Sequence, residues 1–272
     1  MQKIKFIKMH GLGNDFIIID KRLNNVKITD NLIQKLSDRR TGVGSDQVIT
    51  ISYSPDKNTD VTIGIYNPSG DRAEACGNGT RCVAKLLFKE QGDKEIFKIA
   101  SDAGTLIAKK RDGNISVNMG KISSNWKTIP LSHEMDTLSI PISIEGFSNG
   151  IGVNIGNPHV VFFGDSIDKV DLNHLGPEIE NHKFFPDKTN VEFIEVISSK
   201  KIKMKVWERN AGATLACGSG ACAAVYAGWK KNLIENIAEV QLPRGSLHIE
   251  IINEEAVMTG PAEISYEGYV EV

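Results

Sequence analysis

Two four-residue stretches, Cys76-Gly77-Asn78-Gly79 and Cys217-Gly218-Ser219-Gly220, decide the predicted fold. Each places a cysteine before Gly-x-Gly, and each is followed by apolar residues at helical spacing. Glycines at a helix start let the backbone come close to a ligand, and the first unpaired N–H groups then point toward it. A cysteine there lies at the positive end of the helix dipole, which lowers the pKa of a thiol from about 8.5. Two such cysteines predict a pair that acts on opposite sides of one substrate atom.

The composition of the 272 residues is that of a cytoplasmic globular enzyme. Charged residues make up 24% and the net charge is -2, so no nucleic acid or other polyanion is expected as a partner. Nothing approaches the roughly 18 consecutive apolar residues of a membrane span. The N-terminal MQKIKFIKMHGLG lacks the apolar core of a signal peptide.

The four cysteines do not form a disulfide framework in a chain of this length. Zinc is an alternative, but Cys76 and Cys82 lie six positions apart, and Cys217 and Cys222 lie five apart. Structural zinc pairs usually have two to four residues between them, so no metal site is expected. Cys82 and Cys222 fall among apolar helix positions and are predicted to be buried small hydrophobes.

The sequence contains an internal repeat, in which a similar order of predicted short strands and helices occurs twice. Asn14 precedes Cys76 by 62 residues, and Asn157 precedes Cys217 by 60. Two further pairs match: Gln47 and Asn190 lie 29 and 27 residues before their cysteines, and Asn67 and Glu208 each lie nine before theirs. Helical spacing predicts helices after Thr29, after each cysteine, and over Leu172–Glu180. The matched offsets predict two pseudo-equivalent halves with a cleft between them.

Facing thiols suit proton transfer at a carbon acid, such as the α-carbon of an amino acid. One sulfur removes the proton as a thiolate, and the other delivers a proton to the opposite face as a thiol. The pair titrates as a unit, since one thiolate disfavours a second nearby. No pyridoxal-lysine context and no metal-ligand cluster is recognisable, so we expect chemistry without a cofactor.

Eight segments, in this order along nearly the whole chain, resemble the diaminopimelate epimerase family. They are GLGNDF (11–16), GVGSDQ (42–47), IYN (65–67), EACGNGTRC (74–82), GNPHVV (156–161), TNVEF (189–193), WER (207–209) and LACGSGAC (215–222). The resemblance implies an α+β fold of two pseudo-symmetric lobes, each a curved mixed β-sheet wrapped around a central helix. The lobes would comprise residues 1–119 with a returning strand at 263–272, and residues 120–262, with the active site in the cleft between them.

The resemblance also implies a reaction and its residues. Cys76 and Cys217 would be the acid/base pair that converts LL-2,6-diaminopimelate to the meso form, in lysine and peptidoglycan-precursor synthesis. His159 and Glu208 would adjust the thiol pKa values, and Arg209 would clamp the distal carboxylate. Family members are homodimers, and Tyr266 matches a contact position. The implied substrate contacts are Asn14, Gln47, Asn67, Gly77, Asn78, Asn157, Asn190, Glu208, Arg209, Gly218 and Ser219.

Two positions depart from the family pattern. Glycine usually follows the Glu-Arg pair, where this chain has Asn210, and an acidic residue usually stands where it has Ala213. Asparagine tolerates left-handed backbone geometry, so the turn can survive at Asn210. The missing acid removes a capping or supporting partner near Cys217, which affects rate or loop geometry.

Other interpretations stay open at this level. A proline-racemase-type enzyme shares the two cysteines, but it typically has histidine at the position of Asn78 and has no use for Arg209. A non-catalytic metabolite-binding or redox-sensing protein could use the same cleft. Taken without the motifs, His159 is a turn residue, Glu208 and Arg209 are an exposed strand-end pair, and Tyr266 is an ordinary strand tyrosine.

Overall fold

The computed structural model describes residues 3–24, 26–73 and 76–271. Glu74 and Ala75 of the segment EACGNGTRC lie outside the described residues, as do residues 1, 2 and 272 at the ends of the predicted first lobe. The first half of the chain contains β1 (Lys3–Gly11), β2 (Asn14–Asp20), α1 (Asp30–Ser37), β3 (Gln47–Tyr53), β4 (Val61–Tyr66), β5 (Arg72–Ala73), α2 (Gly77–Glu90), β6 (Ile96–Ser101), β7 (Gly104–Arg111) and β8 (Asn114–Lys121).

The second half contains the same kinds of element. They are β9 (Ile140–Ile144), β10 (Phe147–Asn154), β11 (Pro158–Gly164), α3 (Leu172–Glu180), β12 (Asn190–Ser198), β13 (Lys201–Glu208), β14 (Gly212–Ala213), α4 (Gly218–Lys230), β15 (Ile237–Leu242), β16 (Gly245–Ile252), β17 (Glu255–Gly260) and β18 (Glu263–Glu271). All four predicted helices are present. Runs of apolar and β-branched residues in the sequence predict the remaining strands, but they do not predict β5, β9, β14 and β17.

The chain divides into two compact units, Met1–Val117 with Gly260–Val272, and Asn118–Thr259. In the first unit β18, β1 and β2 pair antiparallel in that order, β2 pairs in parallel with β3, and β3 pairs antiparallel with β4. β4 then pairs antiparallel with β5 and in parallel with β6, which pairs antiparallel with β7.

The second unit repeats this order of pairings. β9, β10 and β11 are antiparallel, β11 and β12 are parallel, and β12 and β13 are antiparallel. β13 pairs with β14 and, in parallel, with β15, which pairs antiparallel with β16. The repeat predicted from polar residues at matched offsets is therefore a repeat of topology.

A buried helix lies at the centre of each unit. α2 packs on β1, β2, β6 and β7, and α4 packs on β10, β11, β12, β15 and β16. Cys82 and Cys222 are completely buried in these helices, as the sequence predicted. Burial raises the pKa of Cys82 to about 12. Both helices begin at their cysteine, so the fold delivers each thiol at the end of a rigid, buried element.

Candidate active site

The thiol of Cys76 caps the start of α2. Its backbone is extended, and its Sγ accepts the backbone N–H of Gly79 at 3.4 Å. Thr80 Oγ1 donates to the carbonyl oxygen of Cys76 at 2.9 Å, which closes the first turn. A side chain at residue 79 would collide with Ile49, because a Cβ there would lie 2.3 Å from Ile49 Cδ1. Glycine at residue 79 therefore lets the start of α2 approach β3 without displacing the Ile49 side chain.

Asn14 and Asn78 surround this thiol. Asn78 Nδ2 donates to Asn14 Oδ1 at 3.1 Å, and Cys76 Sγ lies 4.0 Å from the same oxygen. Asn14 Nδ2 donates to Asp46 Oδ2 at 2.9 Å. Since the Asp46 carboxylate can only accept, it fixes which end of the Asn14 amide faces the cysteine.

Asp46 belongs to a charged cluster with Asp15, Arg39 and Lys8. Arg39 bonds to both carboxylates, and Lys8 Nζ, which is buried, contacts Asp15 and the carbonyl of Gly44. Burial alone would raise the pKa of Asp15, but the hydrogen bonds from Arg39 and Lys8 outweigh it and hold that pKa well below its ordinary value. Sequence reasoning missed this cluster, although Asp15 and Asp46 stand inside the segments GLGNDF and GVGSDQ.

Gln47 and Asn67 form a second polar pair of the first unit. Gln47 Nε2 donates to Asn67 Oδ1 at 3.0 Å. Asn67 follows β4 and opens a turn, in which its N–H donates to the carbonyl of Asp71. Both side chains are half-buried. They are thus held by each other rather than by the core.

Cys217 caps α4 in the same way as Cys76 caps α2. Its Sγ accepts the backbone N–H of Gly220 at 3.4 Å and lies 3.5 Å from Ser219 Oγ. The residue is 4% exposed. Glu208 has its carboxylate held by Thr214 Oγ1 at 2.5 Å. The structure thus brings Cys217, Glu208 and Ser219 together.

The predicted direction of the thiol pKa is wrong for Cys217. Burial raises that pKa well above its ordinary value, and the negative charges of Glu208 and Glu192 raise it further. The Ser219 hydroxyl and the Gly220 N–H act in the opposite sense but do not compensate. Burial also raises the pKa of Glu208, against hydrogen bonds from Thr214 and Cys217. A position at a helix start therefore does not by itself set the pKa of a thiol that is buried in the core.

His159 lies beside this site in a fully buried pair with Glu192. His159 Nδ1 is 2.7 Å from Glu192 Oε1, and both side chains are 0% exposed. On the other edge of the ring, Nε2 is 2.9 Å from Asn157 Oδ1. Sequence reasoning named His159 and Asn157 but missed Glu192, whose signal was an acidic residue inside the apolar strand segment TNVEF.

Asn190 and Arg209 are joined at the end of β13. Asn190 Nδ2 donates to the carbonyl of Pro158 at 2.7 Å, and its Oδ1 accepts the backbone N–H of Arg209 at 2.9 Å. The Arg209 guanidinium contacts the carbonyl of Asp187 at 3.4 Å and is half-buried. Asn190 thus fixes the backbone from which the arginine side chain extends.

Asn210 adopts the left-handed conformation that the sequence analysis anticipated, with φ of 61°. Its N–H donates to Glu180 Oε1 at 2.9 Å, and Trp207 Nε1 donates to Glu180 Oε2 at 2.7 Å. Glu180, 4% exposed, is a second buried carboxylate that sequence reasoning missed. Ala213 pairs with Trp207 in β14 and is exposed, so the turn forms without the family's acidic residue.

Other predicted features are distributed as follows. Gly77 and Asn78, and Gly218 and Ser219, form the first turns of α2 and α4. Tyr266 lies on β18, 48% exposed, with its ring edge-to-face on Phe6 at 5.9 Å.

Within residues 3–24, 26–73 and 76–271, no cluster of three His, Cys, Asp or Glu side chains is arranged for a metal ion. None of the helices in the part of the chain that the structure describes is long and apolar enough to cross a membrane.

Comparison with known proteins identifies relatives over nearly the whole chain. The family model "Diaminopimelate epimerase" matches residues 6–124 and 151–265. The diaminopimelate epimerase of Zymomonas mobilis is 42% identical over 264 residues, which cover 97% of this chain and 96% of that protein. The diaminopimelate epimerase of Pelagibacter ubique is 43% identical over 265 residues, which cover 95% of each chain.

Solved structures share the fold at low sequence identity. A phenazine biosynthesis protein of the PhzF family from Enterococcus faecalis superposes with a TM-score of 0.73 at 14% identity and covers 100% of both chains. A hydroxyproline epimerase from Agrobacterium vitis gives a TM-score of 0.67 at 13% identity and covers 99% of this chain and 91% of that one. The α+β fold class predicted from the sequence is therefore confirmed.

Proposed function

The chain belongs to the diaminopimelate epimerase family, and from this premise we propose that it interconverts LL-2,6-diaminopimelate and meso-diaminopimelate in lysine biosynthesis. The same product would supply peptidoglycan precursors. The observation that carries the proposal is the matched pair of cysteine caps. Cys76 and Cys217 each accept a backbone N–H from the third residue of a Gly-x-Gly turn, within a chain that matches the family along its length.

The reaction is a proton exchange at one α-carbon with two cysteines as the acid and the base. The thiolate of one cysteine takes the α-proton, and the electron pair of that C–H bond stays on the carbon. The thiol of the other cysteine then gives its proton to the opposite face, which inverts the centre and leaves that sulfur as the thiolate. The raised pKa of Cys217 favours its thiol form, which is the form that donates a proton.

The helix starts would stabilise the carbanion. Backbone N–H groups of Gly77 and Asn78, and of Gly218 and Ser219, lie in the first turns of α2 and α4, at the positive end of each helix dipole. We assign them to the carboxylate attached to the reacting carbon, where negative charge develops. A surface helix terminus contributes only about 0.3–1 kcal/mol, so these donors suffice only when water is excluded from the site.

Recognition of a substrate with two amino acid ends would use the remaining polar groups. Arg209 can hold the distal carboxylate through two parallel hydrogen bonds. Asparagine and glutamine amides both donate and accept, so they can serve an ammonium and a carboxylate together. His159 and Glu208 adjust the pKa values of the thiols through their charge and hydrogen bonds. The proposed amide and carboxylate contacts are Asn14, Gln47, Asn67, Asn78, Asn157, Asn190 and Glu208.

The test is an assay with LL-diaminopimelate as the sole addition, in deuterated water. Two bases predict that early product carries α-deuterium while recovered substrate carries much less. Equal labelling of both would indicate one shared base and would contradict the mechanism. Absence of turnover by the fully folded protein would contradict the activity itself.

We further propose that the protein is a cytoplasmic homodimer with β18 at its contact. Tyr266 is 48% exposed on the face of β18 that carries Phe6 of β1, and Tyr269 is 60% exposed on the opposite face. Lys5 of β1 and Glu267 of β18 form an ion pair between these two neighbouring strands. Sedimentation of the wild type and of Tyr266→Glu checks this, because a charge placed in a dimer contact should shift the protein toward monomer. A wild type that sediments as a monomer would refute it.

A further inference from the structure

The two cysteine helices rest on strand pairs of identical register. In the first unit Phe16 lies opposite Gln47, and Ile18 lies opposite Ile49, in the parallel pair β2–β3. In the second unit His159 lies opposite Asn190, and Val161 lies opposite Glu192, in the parallel pair β11–β12. Each of Phe16 and His159 follows its matched asparagine, Asn14 or Asn157, by two residues. Phe16 and Ile49 therefore correspond to His159 and Glu192.

The second members of these pairs, Ile49 and Glu192, lie against the same turn of their helices. A Cβ on Gly79 would lie 2.3 Å from Ile49 Cδ1 and 3.4 Å from Phe16 Cε1. A Cβ on Gly220 would lie 2.6 Å from Glu192 Oε1 and 3.3 Å from Cys217 Sγ. The first thiol thus has an apolar support, whereas the second has a carboxylate in the equivalent place.

Packing does not require the polar pair. Phe16 and Ile49 fill the equivalent positions with both side chains completely buried. Burying His159 and Glu192 at 0% exposure carries a desolvation cost that the contact between them and the contact to Asn157 offset only in part. Among the described residues, Glu192 Oε2 is a buried oxygen without a hydrogen-bond partner. A costly group at a position where the same fold accepts an isoleucine points to a role other than stability.

We propose that Glu192 is a positioning residue of the second half of the active site. Its Oε1 accepts the Nδ1–H of His159, which fixes the imidazole so that Nε2 meets the side-chain amide of Asn157. That amide accepts through Oδ1 when Nε2 carries a proton and donates through Nδ2 when it does not. The same oxygen lies against the first turn of α4, next to Cys217. One buried carboxylate therefore sets both the amide of Asn157 and the surroundings of the second thiol. This inference rests on the proposed function, because Asn157 and Cys217 are there assigned to diaminopimelate.

The proposal is tested by replacing His159 and Glu192 of the second unit with their counterparts in the first unit, phenylalanine and isoleucine. The variants are Glu192→Ile, His159→Phe and the double variant His159→Phe/Glu192→Ile. Each single change strands one buried polar partner, whereas the double variant recreates the apolar support seen at Phe16 and Ile49. Glu195→Gln is the matched control, since Glu195 lies three residues along β12 and accepts the N–H of Ile167.

The expected result separates stability from activity. The melting temperature of the double variant should equal or exceed that of the more stable single variant. Its kcat/KM should nevertheless remain about tenfold or more below wild type, with a raised KM because Asn157 is no longer held in place.

Glu192→Gln keeps an acceptor oxygen for Nδ1–H but removes the charge. It should retain KM near wild type and move the pH-rate limb that depends on Cys217 to lower pH, because a negative charge near the thiol is lost. Glu208 also faces that thiol, and the charge of His159 acts on Glu208, so both residues stay unchanged in this variant.

A double variant with wild-type kcat, KM and pH profile would overturn the proposal and leave the pair a structural one. Should the substitutions prevent folding, ¹⁵N NMR of the His159 ring in the wild-type protein decides. A protonated Nδ1 supports the proposal, and an unprotonated Nδ1 refutes it. The NMR result needs no turnover. It therefore distinguishes failure of this inference from failure of the proposed function, which the wild-type assay alone reports.

Discussion

Gly79→Ala places a methyl group where the first cysteine helix meets β3. The new Cβ would lie 2.3 Å from Ile49 Cδ1, 3.4 Å from Phe16 Cε1 and 3.6 Å from Cys76 Sγ. Favourable carbon–carbon contacts begin at about 3.5 Å, so the helix start and the Ile49 side chain must separate by more than an ångström. Both flanking side chains are fully buried, so a shift of the Ile49 Cδ1 end must displace other packed core atoms.

The magnitude follows from two opposing effects. Overpacking a buried site costs about 1–3 kcal/mol, and a clash this close belongs in the upper part of that range. Replacing glycine by alanine in a helix returns up to about 1 kcal/mol. We expect a net loss of about 1–2 kcal/mol in the free energy of unfolding. Because Cys76 moves with the first turn, we expect kcat/KM to fall by about 10–100-fold.

Thermal unfolding and epimerase kinetics measure the two effects. Gly92→Ala is the control, because a Cβ on Gly92 meets nothing within 4 Å. Ile49→Val in the Gly79→Ala background removes the clashing Cδ1 and should restore most of both losses. If Gly79→Ala matches Gly92→Ala in stability and activity, or if Ile49→Val restores nothing, the packing argument is wrong.

Three further predictions concern other parts of the molecule. Cys76→Ala and Cys217→Ala should each abolish epimerisation and leave the circular dichroism spectrum unchanged, whereas Cys222→Ala should retain turnover; near wild-type activity in either of the first two would exclude the two-base scheme. The pKa of Cys82 is about 12 in the folded protein, well above that of a thiol in the unfolded chain, so above pH 9 the unfolded chain loses this proton first and stability falls as pH rises. The melting temperature should therefore drop more steeply between pH 9 and 11 in wild type than in Cys82→Ala, and parallel curves would refute this. Asn210→Gly should keep wild-type stability, whereas Asn210→Ala should lose about 1–2 kcal/mol in urea unfolding because φ is 61° there; equal stability of the two would contradict the strain argument.

Most of the elements were accessible to sequence reasoning, and the exceptions have local causes. β5 and β14 are two residues long and carry no period that a pattern could reveal. β9 contains Pro141, which weakens a strand signal. β17, EAVMTG, lacks the β-branched run of its neighbours. These strands are specified by their partners in the sheet rather than by their own residues.

The sequence by itself determined what depends on residues close together in the chain. Cysteine before Gly-x-Gly specifies a capped helix start, the spacing of apolar residues specifies the helix behind it, and equal offsets specify the repeat. Asn210 likewise marks a left-handed turn because its own backbone preference permits one.

Only the tertiary structure decided what surrounds each thiol. Glu192 reaches His159 across 33 positions, and Asp46 reaches Asn14 across 32, so neither pairing has a local signature. The pKa of Cys217 is raised rather than lowered, contrary to the prediction from its helix start, for the same reason. A helix dipole is a property of a short segment, but desolvation and the charges of Glu208 and Glu192 depend on which distant strands enclose the sulfur.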